Sequence, residues 1–461
     1  MKEKKSEAPR RGNEELFKWD GNPTFGQILP LAAQHVLAAV VGCVTPAILV
    51  ANAANNAGGN VNMGLLIQMS LVFAALSTFL QLYGNKIHLG SGLPVIIGVS
   101  FAYVPTMTAI AAQAQDVNTI FGAMIVGGIV AIIVGLTIKQ IRKVFPPLVI
   151  GTVIFAIGLS LYKTAINYMA GNSANTYEVI VEQRGQTAAL VYGSWQNWLV
   201  AALTLTVVIV CNNYGRGIIK LASVLIGIIV GYGVALGFGM VDFSAVGRAG
   251  IFALPKIMHF GIEFEVSSCV AIGLLFAINS LQAMGDVTAT TMGGMDREAT
   301  DKELRGGILG FGLSNIIGAF FGGLPNVTFS QNVGIVTTTK VVNRWVAALA
   351  AIILGIAGIL PKFSAFLTSV PQCVLGGATL TVFAAITVTG IRMIFNTGLS
   401  VRSGFIVGIA VALGAGVTQA SDALCGFPSW MTVVFAKTPV VIAAVVSILL
   451  NLLLPKDKEE R

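Results

Sequence analysis

The sequence predicts an all-α polytopic membrane protein of fourteen transmembrane segments, arranged as a seven-plus-seven inverted repeat. Three observations predict it. Apolar runs recur from about residue 27 to residue 455, and about 20 apolar residues cross a bilayer as one helix. Charged residues make up 10% of the chain and hydrophobic ones 55%, whereas a soluble domain carries about 25% charged. Two short motifs also recur in the same order, about half a chain apart.

The spans fall at about 27–49, 64–84, 94–109, 120–138, 146–165, 196–211, 218–240, 266–290, 306–322, 328–342, 343–360, 369–391, 402–419 and 438–455. The basic residues orient them. With the N-terminus inside, six of the 28 Lys and Arg face outward (Lys163, Arg184, Arg248, Lys256, Lys362 and Lys437) and 22 face inward. That excess is the positive-inside pattern. It predicts a multi-pass protein of a cell (inner) membrane with both termini cytoplasmic, and it accounts for the net charge of +8 without nucleic acid. Residues 1–26 read as a mobile cytoplasmic tail and 456–461 as a second tail. No signal peptide is evident, because the first apolar segment is long enough to span. The five cysteines are scattered without metal-ligand spacing and read as packing residues. No nucleophile–base pair, metal cluster or phosphate loop stands out. The expectation is no enzyme, no catalytic residue, no metal and no cofactor.

The repeat gives the plan. "SGLPVIIGVSFAYVP" begins at Ser91 and "GGLPNVTFSQNVGIV" at Gly322. Each has Gly-Leu-Pro, an extended-looking stretch, then a polar position: Ser100 after Pro94, Gln331 after Pro325. "PPLVIG" at 146–151 and "PQCVLG" at 371–376 share Pro-x-x-Val-aliphatic-Gly. The offsets are 231 and 225 residues. Seven is odd, so two halves of seven spans have opposite orientations. Inverted repeats with broken segments at matching positions point to a transporter whose site lies where the breaks meet. Non-helical backbone at membrane depth survives only when buried in protein or lining a polar cavity. Residues 322–340 are expected to run extended through Ser330 and to begin a helix near Gln331 to Gly334. Ser330, Gln331 and Asn332 would then stand at a helix N-terminus, where free N–H groups favour electron-rich ligands. The plainer alternative is that Ser330 and Asn332 only cap that helix.

"SQNVGIVTTTK" resembles the signature of the nucleobase–ascorbate transporters, or nucleobase:cation symporters type 2. Gln331, Asn332, Gly334, Thr339 and Lys340 fill its fixed positions. "LQAMGDVTATTM" at 281–292 resembles the eighth span of bacterial xanthine permeases, "AAQHVLA" their first span, and "GSGLP" and "GVSFAYV" their third. The resemblance implies short extended segments in spans 3 and 10. It implies a core domain (27–145 with spans 1–4, 266–365 with spans 8–11) and a gate domain (146–240 with spans 5–7, 366–455 with spans 12–14). It further implies elevator-type movement of core against gate, a homodimer, and proton symport of a purine nucleobase, xanthine or uric acid.

By position, the resemblance makes Gln331 a two-point amide contact to the purine, since an amide offers a donor beside an acceptor. Asn332 would brace the site and Gly334 would line it. Phe101 would stack on the ring, with ordinary packing as the alternative. Ser100 would stand where xanthine and urate are told apart. Gln282 occupies the span-8 position where relatives carry Glu; it can bind a purine but cannot carry a proton. The second expected acid, in span 9, falls on Phe311. Asp286, four residues after Gln282 on the same helix face, is left as the candidate coupling group; a helix-packing or loop-bonding role is its alternative. His35, the one histidine within a span, would tune the site or orient span 1. The missing acids keep open a same-fold carrier of another small anion, as in bicarbonate and sulfate carriers, or of a nucleobase analogue, sodium-coupled or uncoupled.

Overall fold

The structure is a computed structural model. It describes residues 14–137, 146–171, 178–181, 186–189, 192–398, 400–424, 426–427, 435 and 439–455. The expected C-terminal tail, Lys139, Arg142, Lys143, Arg184 and Lys437 lie outside the described residues.

Helix α1 (Phe25–Asn56) opens at a capping box between Thr24 and Gln27 and runs through Pro30 and Pro46. Helix α2 (Met63–Tyr83) starts where Asn62 accepts from the Leu65 amide. The chain then leaves helical geometry at β1 (Ile97–Val99) and a 3₁₀ turn (Phe101–Tyr103), before α3 (Val104–Ala114) and α4 (Asn118–Leu136). There follow α5 (Pro147–Met169), a hairpin of β2 (Glu178–Val181) and β3 (Gln186–Ala189), α6 (Trp195–Tyr214), α7 (Ile218–Leu221), α8 (Ser223–Gly237) and α9 (Ser244–Arg248). The second half repeats the plan with α10 (Val266–Met295), α11 (Asp301–Phe321), β4 (Asn326–Thr328), α12 (Ser330–Thr339) and α13 (Arg344–Gly358). It ends with α14 (Pro361–Thr368), α15 (Gln372–Asn396), α16 (Val401–Gln419) and α17 (Pro439–Leu453).

Among the described residues, eight helices are long and apolar enough to cross a membrane; α13 and α14, bent by 78°, together make a ninth. The chain is a multi-pass membrane protein. Each of the fourteen apolar segments holds a helix; taking the longest helix in each, the shortest are α3 and α12, with 11 and 10 residues. They belong to the two broken segments.

Those segments meet. β1 and β4 pair antiparallel, with Ile97 opposite Thr328, Gly98 opposite Val327 and Val99 opposite Asn326. Ile97 and Thr328 are 231 residues apart, which is the offset of the Gly-Leu-Pro repeat. A pseudo-two-fold axis therefore passes through that pair. The second motif obeys the same symmetry. A Cβ on Gly151 would meet Gly390, Met393 and Ile394; one on Gly376 would meet Ala165, Tyr168 and Met169. The second set is the first moved back by 225 residues. Small residues thus let α5 and α15 approach closely, as helices in lipid do. Helix α2 packs on α13 and α11 on α4, each half's second helix against the other half's fourth.

Buried backbone outside helices must find partners, and side chains supply them here. Thr78 Oγ1 accepts from the Ile97 amide at 3.0 Å. The Asn315 side chain accepts from the Asn326 amide at 2.8 Å and donates to its carbonyl at 3.1 Å. Beyond the ladder, the Ser100 amide donates to the Pro325 carbonyl and the Phe329 amide to the Ile96 carbonyl.

One expectation is corrected. Residues 14–24 are not a free tail. They fold back on the link between α12 and α13, where the Asn343 amide reaches the carbonyls of Glu15, Lys18 and Gly21. Composition read this segment as solvated, but Leu16 is buried against Val341 and Val346.

Candidate functional site

The site assembles where β4 passes into α12, beside α10 and α1. Phe329 is the N-cap of α12 and no side chain caps that end. The capping alternative is therefore overturned: the side chains of Ser330 and Asn332 are engaged elsewhere. Ser330 Oγ donates to Asp286 Oδ1 at 2.8 Å, and Thr328 Oγ1 donates to Asp286 Oδ2 at 2.5 Å. Both oxygens of this buried carboxylate are thus satisfied, and α10 is tied to both sides of the strand-to-helix junction.

Asn332 is buried and turns the other way. Its Nδ2 donates to the His35 carbonyl and faces the His35 ring Nδ1, each at 3.0 Å. An amide nitrogen can only donate, so Nδ1 accepts and the ring proton sits on Nε2. Asn332 thereby holds α12 to α1. Its Oδ1 is buried with no partner.

The two glutamines are different. Gln331 is exposed and Gln282 half-buried, and neither amide has a hydrogen-bond partner among the described residues. Gln282 lies one turn before Asp286 on α10, and Gln331 follows Ser330, so the Asp286–Ser330 bond brings the two free amides to one neighbourhood. Beside them, a Cβ on Gly285 or on Gly334 would meet nothing within 4 Å. Gln282, Gly285, Gln331 and Gly334 therefore border open space, while Asp286, His35 and Asn332 are buried behind them.

Phe101 and Ser100 lie on the other broken segment, at the 3₁₀ turn after β1. Phe101 is buried with its ring edge-on to Phe383 of α15, centroids 5.4 Å apart at 74°. Ser100 Oγ accepts from the Ala102 amide at 3.2 Å and caps the 3₁₀ turn. Phe311 stacks on Phe276 at 5.3 Å, and Phe276 lies 5.0 Å from the Tyr103 ring. Where a second acid was sought, an aromatic ladder stands. A separate crevice of about 540 Å³ is lined by Trp19, Asn85, His88, Arg297 and Lys302 and includes none of the site residues. Thr328 was the partner that residue types alone did not assign; its signal was the polar run from Asn326 to Asn332 in an apolar chain.

Residues 26–423 match the model of the Permease family, Xan_ur_permease. The chain belongs to the nucleobase–ascorbate transporter family. Family members are transporters, and this chain is a membrane permease rather than an enzyme. It is 31% identical over 461 residues to the xanthine permease XanQ of Escherichia coli K12, covering 98% of this chain and 96% of that one. It is 31% identical over 443 residues to the uric acid permease PucJ of Bacillus subtilis, covering 94% of each. Among solved structures it resembles the transmembrane domain of a cyanobacterial bicarbonate transporter, BicA. The TM-score is 0.59 at 14% identity, over 92% of this chain and 98% of that one. Murine Slc26a9, an anion transporter in its inward-facing state, gives a TM-score of 0.57 at 12% identity, over 94% of this permease and 69% of that chain. At such identities the likeness concerns the fold alone.

Proposed function

We propose that this permease carries a purine nucleobase, xanthine or uric acid, by proton symport. A core domain (27–145 and 266–365) would move elevator-fashion against a gate domain (146–240 and 366–455) in a homodimer of fourteen-span protomers with cytoplasmic termini. The observation that carries the reading is the pair of amides, Gln282 and Gln331, without hydrogen-bond partners among the described residues and bordering open space where two broken segments cross. Amides left unpaired inside a transporter suit a flat ligand with adjacent donors and acceptors, and an oxopurine edge is such a ligand. Relatives named for xanthine and uric acid support the substrate class.

Uptake of labelled xanthine and urate into proteoliposomes, with and without an inward proton gradient, tests it. Saturable uptake stimulated by the gradient is expected. No uptake, together with no thermal shift from any purine, overturns it. A second reading rests on Gln282 and Phe311, which stand where acids were expected: a same-fold carrier of another small anion or nucleobase analogue, sodium-coupled or uncoupled. Flux indifferent to the proton gradient favours that reading.

A further inference from the structure

We propose that Asn343 is a positioning residue for the site, acting through the N-terminal segment 14–24. Helix α12 has 10 residues, about 15 Å of length, and exposes Gln331, Gly334 and Thr338. A helix this short, with one side open, depends on its ends for placement. Its first turn is tied to α1 by Asn332 on His35. Its far end is tied to the same helix by a less direct route. Asn343 is wholly buried and stands just past α12. Its Nδ2 lies 3.0, 3.0 and 2.9 Å from the carbonyls of Glu15, Lys18 and Gly21, and its Oδ1 accepts from the Trp345 amide at 2.9 Å. The segment so held runs straight into α1 at Phe25.

Other contacts close the loop. The Val342 and Arg344 amides donate to the carbonyls of Leu16 and Trp19 at 3.3 and 3.1 Å. Leu16 packs with Val341 and Val346, joined by Ile28 and Leu31 from the first turns of α1. The segment turns at Gly21, where a Cβ would stand 2.1 Å from the Glu15 carbonyl oxygen. Two asparagines, Asn332 and Asn343, thus fix α12 to α1 at both ends. Loosening the outer tie lets α12 shift and moves Gln331 without altering any residue of the site.

The test uses three variants of the full chain in nanodiscs and proteoliposomes. Asn343→Ala removes the clasp. Gly21→Ala breaks the turn outside the membrane-spanning helices. Gly26→Ala is the control, because a Cβ there meets nothing within 4 Å. Hydrogen exchange of the amides at 335–341 is read against α2, and KM and maximal rate for xanthine are measured per molecule in the membrane. The first two variants should speed exchange at 335–341 about tenfold or more and raise KM about fivefold or more with little change in rate. Gly26→Ala should match the parent. The KM arm rests on the proposed substrate; the exchange arm does not. If the parent takes up no purine, that reading fails and exchange alone decides this one. The proposal is overturned if exchange at 335–341 stays at the parent rate in both variants. It is also overturned if abundance falls while KM of the surviving protein is unchanged, or if Gly26→Ala behaves like the other two.

Discussion

Thr328→Val is the most telling single change in the site. It keeps a β-branched side chain at a strand position opposite Ile97, so the β1–β4 pairing has no reason to change. It deletes only the hydroxyl that donates to Asp286 at 2.5 Å. A hydrogen bond to a charged group contributes about 1.5–3 kcal/mol net. Thr328 is 2% exposed, so water does not replace the lost donor, and the expected cost is about 2 kcal/mol. Ser330 donates to the other oxygen from an exposed position. Water can take its place, and Ser330→Ala should cost less than about 1 kcal/mol. Combining Thr328→Val with Asp286→Asn completes a cycle. The asparagine keeps a neutral acceptor, so the coupling energy should be about 1–2 kcal/mol. Reversible denaturation in mixed micelles measures all the terms. A coupling indistinguishable from zero, or Ser330→Ala costing as much as Thr328→Val, would refute the reasoning.

Gln331→Ala should abolish purine uptake with stability changed by less than about 0.5 kcal/mol, since Gln331 has no hydrogen-bond partner among the described residues; normal uptake counts against the site. Asn332→Ala should lose uptake and also about 1–2 kcal/mol of stability, because it releases His35; an unchanged melting curve contradicts the brace. Gln282→Glu should increase the ratio of uptake with a proton gradient to uptake without one. An unchanged ratio means that Gln282 is not what sets the coupling. Tyr168→Phe removes the acceptor of the Asn52 amide, a 3.1 Å bond between α1 and α5, and should cost about 1–2 kcal/mol; a neutral result shows that this contact is dispensable.

Symmetry was the most legible part of the fold. The Gly-Leu-Pro and Pro-x-x-Val-aliphatic-Gly motifs fix offsets of 231 and 225, and the β1–β4 register and the α5–α15 contacts follow those numbers. A repeat is a property of the chain itself, so it needs no knowledge of what touches what. Contacts between distant residues are another matter. Asn332 and His35 are 297 residues apart, and no local pattern joins them. An aromatic such as Phe101 beside a polar break looks the same in sequence whether it faces a ligand or packs on Phe383. The average polarity of the N-terminal segment suggests a mobile tail. That average hides Leu16 and the single distant side chain, Asn343, that holds three of its carbonyls.

The arrangement around Asp286 constrains how a proton could act if one drives transport. Both carboxylate oxygens accept from hydroxyls, and a protonated carboxyl must donate from one of them. The protonated oxygen is the weaker acceptor, which favours one hydroxyl turning away. Thr328 is buried within the paired strand, and its hydroxyl has no other partner among the described residues. Ser330 is exposed and can turn to water at little cost. Ser330 precedes Gln331 at the start of α12, so protonation would be felt first beside the proposed substrate contact. Gln282, one turn away on α10, cannot take the proton itself, and Phe311 is sealed in the aromatic ladder. Under proton-driven transport, the route from charge to ligand would therefore be short: one carboxyl, one serine that can rotate, and the amide that follows it.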